Sequence, residues 1–278
     1  MRTFKILSIL VILGMIFNGC EKIDPPYKQD GNGGNGGEAV KKVLLEDYTG
    51  HDCVNCPTAA ALVEELKEVY DEQLVVMAVH AGFFARPKPD LPEDFRTDAG
   101  EVWDQFFGIS AAGNPNGLVD RVQKAPGDYI FNYGEWGTAI TAELEQDAEA
   151  KITIENSYSG DRLTSNITSE FLTELDGIYN IVFCITQDSI IGPQKNNDAN
   201  VGDTPLIEDY VFMHVLRYTN EIWGEELTDN VVVGEEYKST FTVDFEADWV
   251  PKNCHTVAFI CNTETKTIIQ VEEAKVIE

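Results

Sequence analysis

Basic residues are scarce in this chain of 278 residues. It has 20 Lys and Arg against 48 Asp and Glu, which gives a formal net charge of −28 at pH 7. Nucleic acids and anionic membrane surfaces are bound largely through Lys and Arg, so this balance argues against a nucleic-acid partner and against electrostatic attachment to lipid headgroups. The acidity describes the surface and its solubility, and it says nothing about the fold.

A long apolar run is also missing. The most apolar segment, residues 6–17, is too short to cross a bilayer comfortably and follows a basic start, which is typical of a secretory signal peptide. It is followed by Asn18-Gly19-Cys20, and a small residue directly before a cysteine is similar to a bacterial lipoprotein cleavage site. We therefore predict a signal peptide over residues 1–19 and lipidation, including palmitate, on Cys20. The alternative is an ordinary signal peptide with an unrelated cysteine.

The segment that follows has too few apolar residues to bury a core. Residues 20–38 are polar and rich in turn formers, with Pro25-Pro26 and a Gly/Asn run over 31–37, and they predict a flexible tether. The rest of the chain has the length of two domains, which we place at residues 39–149 and 150–278.

Residues 39–149 alternate between strand and helix signals. The order strand, helix, strand predicts parallel pairing with a helical crossover, and hence an α/β domain with helices on the faces of its sheet. The predicted strands are 40–48, 74–80 and 118–122, and the predicted helices are 57–70, one capped by Thr97 and Asp98, and 135–148.

Residues 150–278 carry only short strand signals separated by turn residues. About seven strands with alternating apolar positions predict an immunoglobulin-like or fibronectin-like β-sandwich. One strand is predicted at 210–218, and the polar stretch 192–205 is interpreted as a solvated loop. That stretch is rich in Asn and Asp, but it lacks the closing glutamate of a calcium-binding loop.

Cys53 and Cys56 form a Cys-x-x-Cys pair between a predicted strand and a predicted helix. A cysteine at a helix N-terminus faces unpaired N–H groups and the positive end of the helix dipole, which stabilise its thiolate. Cys53 is therefore the predicted attacking sulfur and Cys56 the resolving one. His51 would raise the reactivity of Cys53, whereas Asp52 would lower it.

Three interpretations of this pair remain open. The thiols exchange with substrate disulfides, they form a permanent structural disulfide in an oxidising compartment, or they bind a metal together with His51 and His80. We favour exchange, and we expect no metal and no cofactor.

The surroundings of the pair resemble the thioredoxin superfamily. Asp47 lies six residues before Cys53, and Gly113-Asn114-Pro115 is similar to the loop that carries the cis-proline of that family. The resemblance implies that Asp47 takes up a proton during resolution, that Pro115 lies against the Cys53 sulfur, and that Asn114 offers its backbone to an extended substrate. His51, next to the pair, is a further predicted substrate-binding residue. Three features depart from the family pattern, namely Asp52 in place of tryptophan, Val54-Asn55 between the cysteines, and the inserted Ala111-Ala112.

More of the chain is similar to the outer membrane protein 28-like lipoproteins. The motifs that carry this resemblance are the lipidation site, the Gly/Asn tether, Tyr48-Thr49-Gly50, residues 115–121, and His214-Val215-Leu216-Arg217. The resemblance implies a lipid-anchored protein of the outer membrane, facing the periplasm or the cell surface, with a thioredoxin-like domain before a β-sandwich. It does not imply a settled activity.

The remaining cysteines are Cys184, Cys254 and Cys261. Cys254 and Cys261 bracket one predicted strand and are too far apart to bond to each other. We favour a Cys184–Cys261 disulfide, with buried free thiols as the alternative.

Two functions are consistent with these observations. The first is a lipid-anchored thiol-disulfide oxidoreductase that acts on protein disulfides. The second is a non-catalytic binding or assembly lipoprotein with an outer-membrane protein as a candidate partner.

Overall fold

The computed structural model describes residues 39–277. The predicted signal peptide, the lipidated Cys20 and the tether lie outside the described residues. Within residues 39–277, none of the helices combines the length and the apolarity that a bilayer crossing requires.

The described chain forms four α-helices and fourteen strands. The helices are α1 (Cys56–Tyr70), α2 (Asp98–Phe107), α3 (Ile109–Ala112) and α4 (Trp136–Leu144). The strands are β1 (Val43–Thr49), β2 (Leu74–His80), β3 (Asn116–Val119), β4 (Phe131–Asn132), β5 (Ala150–Ser159), β6 (Arg162–Phe171), β7 (Tyr179–Gln187), β8 (Ile190–Lys195), β9 (Leu206–Phe212), β10 (Val215–Thr219), β11 (Glu225–Thr228), β12 (Glu236–Asp244), β13 (Cys254–Asn262) and β14 (Ile268–Lys275).

A nine-stranded mixed sheet runs through both halves of the sequence. Its order is β14-β13-β7-β10-β2-β1-β3-β4, and β11 pairs with β7 beside β10. The junction is the parallel pairing of β10 with β2, where Val215 is opposite Ala78 and the Ala78 N–H donates to the His214 carbonyl over 2.8 Å. A second backbone hydrogen bond joins the two halves, since the Ile268 N–H at the start of β14 donates to the carbonyl of Asp120, directly after β3, over 2.8 Å.

This sheet shows that the predicted fold class, a thioredoxin-like α/β domain followed by a separate immunoglobulin-like sandwich, is wrong. Strands from before and after residue 150 share the backbone hydrogen bonds of this sheet, so the two halves do not form separate domains with separate main sheets. The physical reason is that β10 has an unsatisfied edge that β2 completes, and an edge strand of this kind pairs with whatever extended chain lies beside it. The protein is therefore mostly β, with a mixed sheet and helices α1 to α4 around one end.

A second, three-stranded sheet, β12-β6-β5, packs on the β7–β13 part of the large sheet. Its strands alternate between inward apolar and outward polar residues, as a sheet with one solvated face requires. Phe183 and Phe241 stack across the interface with ring centroids 4.8 Å apart. The third sheet is a two-stranded hairpin of β8 and β9.

A buried ion pair lies in the core shared by the two halves. Arg121 is 0% exposed and donates from Nε and Nη2 to the two carboxylate oxygens of Glu46 over 2.7 and 2.8 Å. Its guanidinium lies 4.7 Å from the ring centroid of Trp103, 5.2 Å from that of Phe259 and 5.8 Å from that of Trp223. Because Phe259 and Trp223 come from the later half, one charged group connects both halves of the chain.

Cys184, Cys254 and Cys261 are buried free thiols, so the predicted Cys184–Cys261 disulfide is wrong. In the register of β7 and β13, Cys184 is opposite Val257, whereas Cys261 is opposite Asn180. The two thiols are therefore offset by four residues along paired strands, which exceeds the reach of a disulfide.

These three thiols are expected to be unreactive in the folded protein. Burial raises the pKa values of Cys184 and Cys254 to about 12, and that of Cys261 above its ordinary value. Because the thiolate is the reactive species, a chain that starts at residue 21 should not react with an aromatic disulfide reagent at pH 8 until it is unfolded. Titration with the reagent should then count three thiols, and fast labelling of the folded chain would contradict this assignment.

Candidate functional site

A disulfide joins Cys53 and Cys56 at the start of α1. Asn55 precedes the helix, Cys56 is its first residue and Pro57 follows, where a missing N–H leaves no helical hydrogen bond unmade. The predicted helix after Pro57 is therefore confirmed. Cys53 is 2% exposed and Cys56 is 3% exposed, so neither sulfur is open to a large substrate in this conformation.

The segment from β8 to β9 closes over this disulfide. Gln194 Nε2 donates to the Cys53 carbonyl over 3.1 Å, the Lys195 N–H donates to the His51 carbonyl over 2.9 Å, and the Asn197 N–H donates to the Val54 carbonyl over 3.1 Å. Gln194 is itself 2% exposed. The interpretation of residues 192–205 as a solvated loop is therefore wrong for residues 192–196, which end strand β8 and bury Gln194 and Asn196, whereas residues 197–205 form an irregular, largely exposed loop. Polar side chains and backbone groups of the segment satisfy the carbonyl groups of the disulfide turn, which would otherwise be buried without partners.

The other predicted site residues differ in their surroundings. His51 is buried, with Nε2 3.0 Å from the Arg86 carbonyl. Asp52 pairs with Lys88. The Asn114–Pro115 peptide bond is cis, as the resemblance implies, and neither polar atom of the Asn114 carboxamide has a hydrogen-bond partner among the described residues.

Glu46 and Asp47 point to opposite faces of β1, as neighbouring residues of a strand must. Glu46 faces the core and pairs with Arg121. Asp47 instead lines a cavity on the α1 side of the sheet, and Cys56 lines the same cavity. The sequence alone left open which carboxylate points to the disulfide side, and the Arg121 contact decides it.

This cavity has a volume of about 220 Å³ and lies between α1, the large sheet and the β8–β9 hairpin. Its walls are largely apolar, and its polar groups are few. The residues that line it include Cys56, Pro57, Ala60, Ala61 and Val63 near or on α1, Val76 and Ala78 on β2, Val211 and Phe212 on β9, and the polar side chains of Asp47, Glu64, His80, Gln194, Tyr210 and His214.

The polar groups of the cavity are poorly satisfied. Asp47 Oδ1 and both ring nitrogens of His80 are buried without a hydrogen-bond partner among the described residues. His214 Nε2 lies 3.5 Å from Glu64 Oε1, and its Nδ1 lies 3.4 Å from Asp188 Oδ1, but neither contact has hydrogen-bond geometry. Buried polar atoms are nearly always paired, so this concentration of exceptions marks the cavity as the candidate site.

Burial sets the protonation of these groups. It raises the pKa of Asp47 to about 7, against a smaller opposing effect of His214. It also lowers the pKa of His80 to about 3, which leaves that imidazole neutral at neutral pH. Strongly shifted groups that converge on a cleft are typical of functional sites.

The metal interpretation of the Cys-x-x-Cys pair gains no geometric support. The two sulfurs are bonded to each other, and across residues 39–277 no three His, Cys, Asp or Glu side chains converge as a metal ligand set.

Sequence reasoning identified Cys53, Cys56 and Asp47, but it missed Gln194, Tyr210 and Glu64. His214 and His80 were noted, although not as parts of one cavity. Gln194 and Tyr210 come from strands about 140 to 160 positions after the cysteines, and no local pattern marks them. The richness of residues 192–205 in Asn was a usable signal, because side-chain amides satisfy backbone groups in irregular turns.

A mixed sheet, a buried disulfide and a partly open cavity beside it are typical of a β-rich protein of an oxidising compartment. The chain belongs to the family described as outer membrane protein Omp28, which it matches over residues 104–278. The predicted location, at the outer membrane with a lipid anchor, is thereby confirmed. Comparison with curated proteins gave no match.

Two solved structures are similar to this fold. HBP35 of Porphyromonas gingivalis superposes with a TM-score of 0.66 at 18% sequence identity, covering 87% of this chain and 77% of its own. A protein of Agrobacterium tumefaciens superposes with a TM-score of 0.51 at 13% identity, covering 87% of this chain and 97% of its own. At these identities the likeness concerns the fold alone.

Proposed function

We propose that this chain is a non-catalytic binding lipoprotein of the outer membrane and that Cys53–Cys56 is a structural disulfide. The observation that carries the proposal is the closure of the β8–β9 segment over the disulfide, through Gln194, Lys195 and Asn197. A disulfide that had to meet another protein would need one sulfur at the surface.

The chemistry of exchange explains this requirement. An incoming thiolate attacks one sulfur of the disulfide, so the reaction rate depends on access as well as on thiol pKa. Here both cysteines are almost completely buried, and the β8–β9 segment from the other half of the chain donates hydrogen bonds to three carbonyl groups of the disulfide turn. Exchange would first require the hairpin to open.

The disulfide should therefore resist reduction in the folded protein. We expect dithiothreitol to reduce it about 100-fold more slowly than in the unfolded chain, the factor that corresponds to a local opening free energy of about 3 kcal/mol. Mass spectrometry after alkylation measures the rate. Wild type and Cys53→Ser should show the same background rate of insulin reduction.

A matched pair of variants tests whether the hairpin provides the protection. Gln194→Ala removes the hydrogen bond to the Cys53 carbonyl and should speed reduction about fivefold, since such a bond contributes about 1 kcal/mol. Gln146→Ala changes an exposed glutamine at the end of α4 and should leave the rate unchanged. Insulin reduction that is fast in wild type and lost in Cys53→Ser would refute the proposal.

A second candidate function is thiol-disulfide exchange, with residues 39–149 related to the thioredoxin superfamily. The observation that favours it is the presence of Cys56 and Asp47 in one cavity, since a carboxyl with a pKa of about 7 is suited to proton transfer at neutral pH. Cys56→Ser should then trap client proteins as mixed disulfides with Cys53. Recovery of such adducts from the cell envelope would favour the enzyme, and their absence favours the binding protein.

A further inference from the structure

The cavity beside the disulfide is mainly apolar and large enough for a small organic molecule. It is about 220 Å³ in volume, larger than the roughly 150 Å³ that holds benzene in an engineered protein cavity. Its walls carry aliphatic and aromatic side chains from α1, β2 and β9. A ligand of about ten non-hydrogen atoms with an apolar body would therefore fit its size and its lining.

The charges around the cavity have one sign. Its described lining holds the carboxyl groups of Asp47 and Glu64 and no Lys or Arg. His80 also lines it and is held neutral, because burial lowers its pKa to about 3. His214 also lines the cavity, with its Nε2 3.5 Å from Glu64 Oε1.

Asp47 is the buried carboxyl group of the cavity, and one of its oxygens lacks a partner among the described residues. It is 4% exposed, and its Oδ1 accepts no hydrogen bond from the described residues. An unpaired carboxylate in an apolar site is costly, and a cationic donor that satisfies it recovers much of that cost. A positively charged hydrogen-bond donor that is not among the described residues would satisfy this carboxylate.

We propose that this cavity binds a small organic amine, with the ammonium group on Asp47 and the alkyl or aryl body against the apolar walls formed by α1, β2 and β9. The inference rests on the proposed function, because it names the ligand class of the binding protein. A neutral alcohol of the same shape would leave the Asp47 charge unpaired. A carboxylic acid would place like charges together.

The pH dependence follows from the groups that face Asp47. These are Glu64 on α1, His80 at the end of β2, Tyr210 on β9 and His214 between β9 and β10. Since burial raises the pKa of Asp47 to about 7, only about a tenth of it is ionised at pH 6 and about nine tenths at pH 8. An ammonium ligand selects the ionised form, so its affinity should rise about tenfold over this range. At pH 6 its binding should release a proton.

Calorimetry on the mature chain from Cys20 tests the proposal with three probes of similar shape. We expect 2-phenylethylamine to bind at pH 8 at least about tenfold more tightly than 2-phenylethanol or 3-phenylpropanoate. This is the affinity ratio that one charge-assisted hydrogen bond contributes. At pH 6, titration in two buffers of different ionisation enthalpy should show release of close to one proton. Equal affinity for the amine and the alcohol, or no binding of the amine, would overturn the inference.

Variants assign the effect to the cavity. Asp47→Asn should remove the preference for the amine and its pH dependence, whereas Asp229→Asn, at an exposed position, should retain both. Ala60→Leu adds bulk to the cavity wall and should weaken the amine at least about tenfold while Asp47 remains intact. Amine binding that survives both Asp47→Asn and Ala60→Leu would overturn the site. Failure of these binding tests leaves the disulfide experiments to decide the proposed function independently.

Discussion

Replacing Arg121 with methionine is expected to lower the free energy of unfolding by about 3–5 kcal/mol. Among residues 39–277, Arg121 is the one cation that pairs with the carboxylate of Glu46, whose side chain is 0% exposed, so the variant leaves that charge buried without its partner. It also removes the guanidinium from among Trp103, Phe259 and Trp223. Chemical denaturation followed by circular dichroism and tryptophan fluorescence measures the loss.

The same structure offers a matched control and a rescue. Arg162 pairs with Asp244 in a similar two-pronged geometry, but on the surface, so Arg162→Met should change the free energy of unfolding by at most about 1 kcal/mol. Combining Arg121→Met with Glu46→Leu removes both charges and should recover most of the stability lost in the single variant. A loss below about 1 kcal/mol in Arg121→Met would contradict the assigned role of the pair.

This experiment also tests the shared sheet. Because Arg121 contacts aromatic side chains from both halves, and β10 pairs with β2, we expect the two halves to unfold in one transition that both probes report at the same denaturant concentration. Two independent domains would give two transitions, and Arg121→Met would then shift only the transition of the half that contains Arg121.

Local signals in the sequence were sufficient to predict several elements of the first half, although not the sheet to which they belong. The strand 74–80 and the helix after Pro57 depend on apolar periodicity and on helix-start chemistry, both of which act within a few residues. The cap at Thr97 is confirmed as well, since its side chain accepts a hydrogen bond from the Gly100 N–H.

Long-range pairing could not be predicted in the same way. Residues 210–218 were predicted as one strand, but His214 has a φ of 56° and divides them between β9, in the hairpin, and β10, in the large sheet. Strand propensity indicates that a segment is extended, but it does not choose the partner strand. For that reason, neither the nine-stranded sheet shared by both halves nor the packing of the β8–β9 segment over Cys53–Cys56 could be predicted from the sequence.

The candidate site likewise contains residues that a local motif predicts and residues that only long-range folding brings to it. Cys53, Cys56 and Asp47 lie within ten residues of one another, and a motif with its flanking strand predicts them together. Tyr210 and Gln194 reach the cavity only because β8 and β9 fold back over α1. The chemical character of the cavity depends on both groups of residues, so the sequence indicates a site near Cys56 without showing which distant residues complete it.

Asp47→Asn is expected to stabilise the ligand-free protein at pH 8 by up to about 4 kcal/mol and to have little effect at pH 4. Asp47 has a folded-state pKa of about 7 against an ordinary value of 3.8, so the folded state holds its proton more tightly than the unfolded state does. That contribution to stability is fully present below pH 3.8 and is lost as the pH rises towards 7, which over about three pKa units amounts to about 4 kcal/mol.

Denaturation of Asp47→Asn and wild type at pH 4, 6 and 8 measures this difference, with Asp229→Asn as the exposed control that should follow wild type throughout. His80 acts with the opposite sign, because its pKa is lowered and its contribution is lost as the pH falls, but it is present in all three chains. A difference that stays flat with pH, or is largest at pH 4, would show that Asp47 is ionised and satisfied in the folded state. A stability difference that rises with pH implies instead that the ionised carboxylate of Asp47 destabilises the ligand-free protein at pH 8. In that case 2-phenylethylamine should raise the stability of wild type at pH 8 and should not raise that of Asp47→Asn.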